Sequence, residues 1–77
     1  IINTYDLVHF DGPHKTIDVI RETMFFGDRA RIGSVFVYDD YPKYDMNVIG
    51  TILIEHLGFT PVLKGDNKIA LQKKKDA

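Results

Sequence analysis

The stretch that most constrains this chain of 77 residues is Gly33-Ser34-Val35-Phe36-Val37-Tyr38-Asp39-Asp40. From Val35 to Tyr38 every side chain is β-branched or aromatic, and the run then stops on two adjacent carboxylates. A short apolar run opened by glycine and closed by charge reads as a strand buried on both faces, the habit of a central parallel strand. Such a strand calls for an α/β arrangement around it. A site would then sit at its carboxyl end, where open α/β sheets collect their ligands.

The flanking sequence supplies the matching units. Tyr5 to Phe10 is a strand candidate rich in aromatic and branched residues, stopped by Asp11-Gly12-Pro13. Pro13 suits a first helical turn, and Ile17, Ile20 and Met24 follow at spacings of three and four. This predicts a helix from Pro13 to Phe26 with that apolar stripe buried, ended by Gly27-Asp28. The 21 residues between Asp11 and Gly33 are ample for the helical crossover that parallel neighbours need, so the unit is a right-handed β-α-β. After a turn at Tyr41-Pro42-Lys43-Tyr44, Asp45 is the expected N-cap of a second helix. Ile49, Ile52, Leu53 and Leu57 form its buried stripe, and Gly58 is its left-handed C-terminal cap. Phe59 to Leu63 and Lys68 to Gln72 are short strands of a hairpin around Lys64-Gly65-Asp66-Asn67, whose Gly and Asn tolerate positive φ. No repeat or linker divides residues 1–77, so they form a single domain.

Composition narrows the function classes. A chain this short buries only roughly 60% of the surface it exposes when unfolded, and with no cysteine it has neither disulfides nor a thiolate zinc site to make up the difference. Ten Lys plus Arg stand against 11 Asp plus Glu, so no global field points to nucleic acid or an anionic membrane. The basic cluster Lys73-Lys74-Lys75 has no interleaved aromatics and reads as a solvated tail. No apolar stretch approaches the ~20 residues of a membrane span, no signal peptide is visible, and a cytoplasmic setting is the default expectation. The start at Ile1, without an initiator methionine, is read as that of a cut, processed or incompletely represented protein.

The chemistry is expected where the two parallel strands end. Adjacent strands lie ~4.8 Å apart, so Asp11 on the first and Asp39-Asp40 on the second can converge. Three carboxylates without a cation would repel one another. A hard divalent metal such as Mg²⁺ removes the conflict and keeps open positions for water or substrate oxygens. His14, three residues past Asp11, can take a proton near neutral pH, and a metal beside it would ease the loss of a proton from a bound hydroxyl. Plainer readings stand beside these. Asp11 could cap the helix, Asp39 and Asp40 could end a strand and begin a turn, and His14 could be an incidental first-turn residue. His9 reads as a packed or hydrogen-bonded sheet residue and Tyr38 as core. His56 shares the face of Leu53 and Leu57 and reads as buried or interacting with the helix C-terminus. Tyr41 could line a substrate pocket or serve as a turn aromatic.

Two segments, Tyr5-Asp6-Leu7-Val8-His9-Phe10-Asp11-Gly12-Pro13-His14 and Arg29-Ala30-Arg31-Ile32-Gly33-Ser34-Val35-Phe36-Val37-Tyr38-Asp39-Asp40-Tyr41, resemble the second half of class I S-adenosylmethionine-dependent methyltransferases. The resemblance is closest to the metal-dependent O-methyltransferases that act on macrolide sugars, with catechol-type enzymes more distant. In that family an Asp-Gly-x-His motif ends the fourth strand and an acidic pair ends the fifth. The resemblance implies that Asp11, Asp39 and Asp40 are metal ligands and that His14 is the general base for the acceptor hydroxyl, with the methyl group transferred by in-line displacement from the sulfonium. It also implies a truncated Rossmann-like half: a four-stranded mixed sheet in the order first, second, fourth, third, the last strand antiparallel, with two helices. Ile32 stands where the family often has proline, and Ser34 where it often has a second glycine.

This likeness covers nearly all of residues 5 to 73, but the family's Gly-rich loop and ribose-binding acidic residue have no counterpart, and no Gly-x-Gly occurs. The expectation is therefore a fragment of an enzyme that methylates a small-molecule hydroxyl, catalytically silent as this piece. A non-catalytic α/β assembly module is the alternative. A metal-dependent phosphoryl-handling domain is a third class, without the expected lysine and hydroxyl residues evident at the same edge. The implied strand order leaves Tyr5 to Phe10 at an edge, where the family has a further strand that is missing here, and a bare apolar edge invites a homodimer or larger assembly.

Overall fold

The computed structural model describes residues 7–10 and 15–75, with the side chain of Pro42 left aside. The elements are β1 (Leu7–Phe10), α1 (Thr16–Arg29), β2 (Val35–Asp39), a 3₁₀ turn (Tyr41–Lys43), α2 (Met46–His56), β3 (Phe59–Lys64) and β4 (Lys68–Lys73). The four strands form one sheet in the order β1-β2-β4-β3. β1 runs parallel to β2 with Phe10 beside Tyr38, and β4 is antiparallel to both β2 and β3. This is the expected mixed sheet, strand order included. The helical crossover makes the first pair parallel, and the tight turn makes the last pair a hairpin.

Alternation along the strands sorts the side chains between two faces. Phe10, Phe36, Tyr38 and Leu71 meet Val19, Ile49 and Leu53 of the helices in one buried core. Aromatic rings fill its centre: Phe10 stacks on Tyr38 with ring centroids 4.3 Å apart, and Phe36 lies 4.6 Å from Phe59. The opposite face differs from the sequence expectation of a strand buried on both sides. Val35 and Val37 are half-buried, and Leu7 and Leu63, on the same face by register, are 63% and 72% exposed. Both helices pack on the Phe36 and Tyr38 side, so residues 35 and 37 are covered by neighbouring strands and not by a second helical layer.

Helix α1 departs most from its sequence reading. Its described part begins at Thr16 after an extended Lys15, and it runs through Gly27 to Arg29; Pro13 lies outside the described residues. The buried face is Val19, Thr23 and Gly27, while Ile17 and Met24 are 53% and 51% exposed and Ile20 is partly buried. Two local interactions set this rotation. The Thr23 hydroxyl shares a buried hydrogen bond of 2.7 Å with the Tyr38 hydroxyl, so a polar residue enters the core fully satisfied. Gly27 lets α2 come close, since a Cβ there would stand 2.6 Å from Leu57 Cδ1. Neither interaction registers in a count of apolar periodicity.

The C-terminal end of α1 corrects a second expectation. Lys73 is not part of a solvated tail: it closes β4, is only 6% exposed, and donates from Nζ to the Ala30 carbonyl at 3.0 Å and the Gly27 carbonyl at 3.5 Å. Those carbonyls lie where a helix leaves acceptors unsatisfied and where its dipole favours a cation. Arg29 lies over the Phe25 ring, 3.8 Å from its centroid, and donates to the Phe25 carbonyl.

Helix α2 follows its sequence reading more closely. The Asp45 carboxylate accepts from the Val48 N–H at 3.3 Å, Ile49, Leu53 and Leu57 are buried, and Ile52 packs partly buried against them. Gly58 has φ +78°, as its capping role requires. His56, read as buried or interacting with the helix C-terminus, is exposed in the last turn of α2, where Leu57 takes the buried position beside Gly27. The β3–β4 turn also forms without the positive φ that Gly65 and Asn67 would tolerate. Among the described residues, no helix is long and apolar enough to cross a membrane.

Candidate functional site

The parallel strands β1 and β2 end side by side, and β2 delivers Asp39 at its last position. Alternation sends this carboxylate to the sheet face away from the helices. β4 begins directly opposite, with Lys68 the cross-strand partner of Asp39. Lys68 Nζ lies 3.1 Å from Asp39 Oδ1, the same oxygen accepts from the Asp40 N–H at 3.0 Å, and His9 Nε2 stands 3.7 Å from Oδ2. The Lys68 ammonium, by hydrogen bond and by charge, holds the Asp39 carboxyl below its ordinary range.

The chain turns sharply after Asp39. Asp40 takes the left-handed conformation, φ 54° and ψ 33°, which Asp and Asn enter more readily than other residues with a Cβ. Two tyrosines fasten the turn that follows. Tyr44 donates to the Asp39 carbonyl at 2.8 Å, and burial, reinforced by the nearby Asp39 and Asp40 charges, pushes its phenol up to about 12. The Tyr41 hydroxyl donates to the Gly65 carbonyl at 3.2 Å, tying this turn to the β3–β4 turn. Of the two readings of Tyr41, the hydrogen bond gives it a structural task. Beside Lys68 the exposed face holds an apolar depression of about 300 Å³ lined by Val37, Leu63 and Ala70.

Of the residues singled out in the sequence, Asp39, Asp40 and Tyr41 thus lie together at the carboxyl end of β2, while Asp11 and His14 lie outside the described residues. His9, read as a sheet residue, does sit in the sheet, with its side chain 47% exposed and facing Asp39. Lys68 and Tyr44 escaped the sequence reading. Lys68 meets Asp39 through the pairing of β2 with β4, which the hairpin turn does not set, and the Tyr44 bond depends on the left-handed turn at Asp40.

The described carboxylates can be tested for their fit to a hard divalent cation. Asp39 and Asp40 supply the oxygen donors that Mg²⁺ takes, at the end of a parallel pair. Against this, Lys68 already occupies Asp39 Oδ1, and a cation there would face an ammonium of like charge. Lys68 is 56% exposed and its long stem can move the ammonium into water, so the donor chemistry fits, in competition with Lys68. Among the described residues no cluster of three or more His, Asp or Glu side chains is close enough to hold a metal. Comparison of the chain with protein-family models, curated proteins and solved structures returned no match.

Proposed function

We propose that this chain is the C-terminal part of an S-adenosylmethionine-dependent, divalent-metal-dependent O-methyltransferase of the cytoplasm, acting on a small-molecule hydroxyl and silent as a 77-residue piece. The observation that carries the reading is topological. A β-α-β unit is followed by a second helix and a hairpin whose last strand turns antiparallel and inserts between β2 and β3, the order implied by the sequence resemblance. In this reading Asp39, Asp40 and Asp11 hold the cation and His14 takes the proton of the acceptor hydroxyl. Bound there, the cation supplies charge that makes a coordinated hydroxyl easier to deprotonate. Tyr44 and the Asp40 turn fix the direction in which the carboxylates leave the strand.

Two measurements test this. Calorimetric titration with Mg²⁺ and Mn²⁺ should give heat and a raised Tm, both lost in Asp39→Ala; millimolar metal without either effect in the natural chain and in Lys68→Ala would overturn the metal assignment. The reading frame upstream of Ile1 should encode a Gly-rich strand-loop-helix, and a frame without one removes the cofactor from the reading.

A second reading, a non-catalytic α/β assembly module, has the Asp39–Lys68 pair in its favour, because there the carboxylate serves only as a cross-strand partner. It predicts that Lys68→Ala gains no metal affinity.

A further inference from the structure

We propose that the apolar depression on the sheet face away from the helices is a binding site for a small amphiphile, a compact apolar body carrying one carboxylate, with Lys68 as its anchor. The site uses no metal and stands apart from the methyltransferase reading.

Strand register makes the hollow. Val37 of β2 faces Ala70 of β4, and Ala70 faces Leu63 of β3, so three side chains form one row across this face. The middle one is a single methyl group between two larger neighbours, which leaves the row low at its centre. A volume of about 300 Å³ lies over it, at the lower end of the range for small-molecule pockets. Two inter-strand gaps make the hollow ~10 Å wide, and the next row on the same face lies ~7 Å further along the strands. That next row is Asp39 with Lys68. Leu63 is 72% exposed, apolar surface that a bound body would take out of water. The row belongs to β2, β4 and β3, and β1 lies on the far side of β2; a strand added beside β1 in a longer parent would be separated from Val37 by β1.

The rim selects the charge of the ligand. Lys64 and Lys68, one at each end of the β3–β4 turn, also line the hollow. Their methylene stems suit its apolar wall, and their ammonium groups are left to the rim. Among the described residues no acidic side chain lines it. Lys64 has no ion pair, and Asp66, in the turn, pairs with neither lysine. An apolar floor beside this surplus of positive charge favours an anionic head group over a neutral or cationic one. A carboxylate is the group that Lys68 already holds, in Asp39 at 3.1 Å. The lysine is 56% exposed, and its ammonium has three donors, so it has access to a second acceptor. With the head group on Lys68, the apolar body reaches back along the strands and fills the row over Ala70.

Decanoate is the probe, titrated into the 77-residue chain with no Mg²⁺ added, so failure here leaves the metal assignment untouched. For a ligand of this size the dissociation constant should be on the order of millimolar. Amide NMR shifts should move at Val37, Leu63, Lys68 and Ala70 and stay fixed along α1 and α2. Ala70→Leu, which fills the hollow, should abolish the shifts. Leu63→Gln, at an exposed position, and Lys68→Ala should each weaken binding by roughly fivefold or more, with circular dichroism unchanged. Decylammonium, the same chain with the opposite charge, should bind at least roughly tenfold more weakly than decanoate. The proposal is overturned if no shift appears at about ten times the expected constant, or if the shifts spread over the helices. It is equally overturned if decylammonium binds as well as decanoate, or if Leu63→Gln and Lys68→Ala bind like the natural chain.

Discussion

The hydrogen bond between Thr23 and Tyr38 offers the sharpest test of how this core is held. Both side chains are fully buried, and their hydroxyls lie 2.7 Å apart. Thr23→Val removes one hydroxyl at nearly constant volume and leaves the Tyr38 phenol in the core without that partner. Stranding a buried hydroxyl costs about 2 kcal/mol, a large fraction of the ~4–12 kcal/mol available to a domain of this size. At ~4–8 °C per kcal/mol, Tm should fall by about 8–16 °C. Tyr38→Phe strands the Thr23 hydroxyl instead and should cost a similar amount. Thr23→Val/Tyr38→Phe removes both hydroxyls together and should be less destabilised than the sum of the single variants by about 1–2 kcal/mol. Urea unfolding of all four proteins at neutral pH, with m unchanged, measures this coupling. Strict additivity would refute the reasoning, because it would mean that each hydroxyl finds another partner, such as a carbonyl one turn back along α1.

Alkaline titration should separate the tyrosines. Burial raises the phenols of Tyr38 and Tyr44, the latter to about 12, whereas in the unfolded chain both ionise near ~10. Their contribution to stability is therefore whole below about pH 10 and is lost as pH rises from there through the folded values; phenolate absorbance of Tyr38 and Tyr44 should appear only above the ordinary tyrosine range, and ionisation of both in the folded chain near their ordinary value would contradict their burial. Lys68→Ala should let the Asp39 carboxyl rise toward its ordinary range, read by carboxyl chemical shifts against pH. Because the pair depresses this group, its stabilising effect is present above the ordinary carboxylate value and is lost as pH falls through the folded one; an unmoved Asp39 titration would remove Lys68 as the cause. Gly58→Ala should cost about 3 kcal/mol or more in urea unfolding, since the residue sits at φ +78° and a Cβ would run into the Lys75 carbonyl. A loss near zero would deny the cap its conformation.

Much of the fold is legible in the sequence because local and global signals agree. Asp45 and Gly58 bracket α2 with their chemistry, and the stripe between them is apolar enough to identify its buried face. The crossover length makes β1 and β2 parallel. Helix α1 misleads because its buried face is built from a threonine and a glycine, chosen by Tyr38 and Leu57 across the core, while Ile17 and Met24 stay in solvent. Lys73 misleads in the same way: three lysines in a row suggest a tail, yet the first has helix carbonyls to satisfy. At the candidate site the carboxylates of Asp39 and Asp40 are plain in sequence. Their counter-charge is not, since Lys68 meets Asp39 only through the register of β2 against β4.

The insertion of β4 between β2 and β3 also governs the order in which this sheet can be made. β2 and β3 are not neighbours; each is joined to the rest through β4, the last of the four strands to leave the ribosome. Until it arrives, the apolar run from Val35 to Tyr38 is half a template, with β1 on one side and a vacancy on the other, the condition in which strand-forming segments find wrong partners. The first residue of β4 is Lys68, opposite Asp39. The charge pair at the candidate site thus joins the end of β2 to the first residue of the strand that completes the sheet.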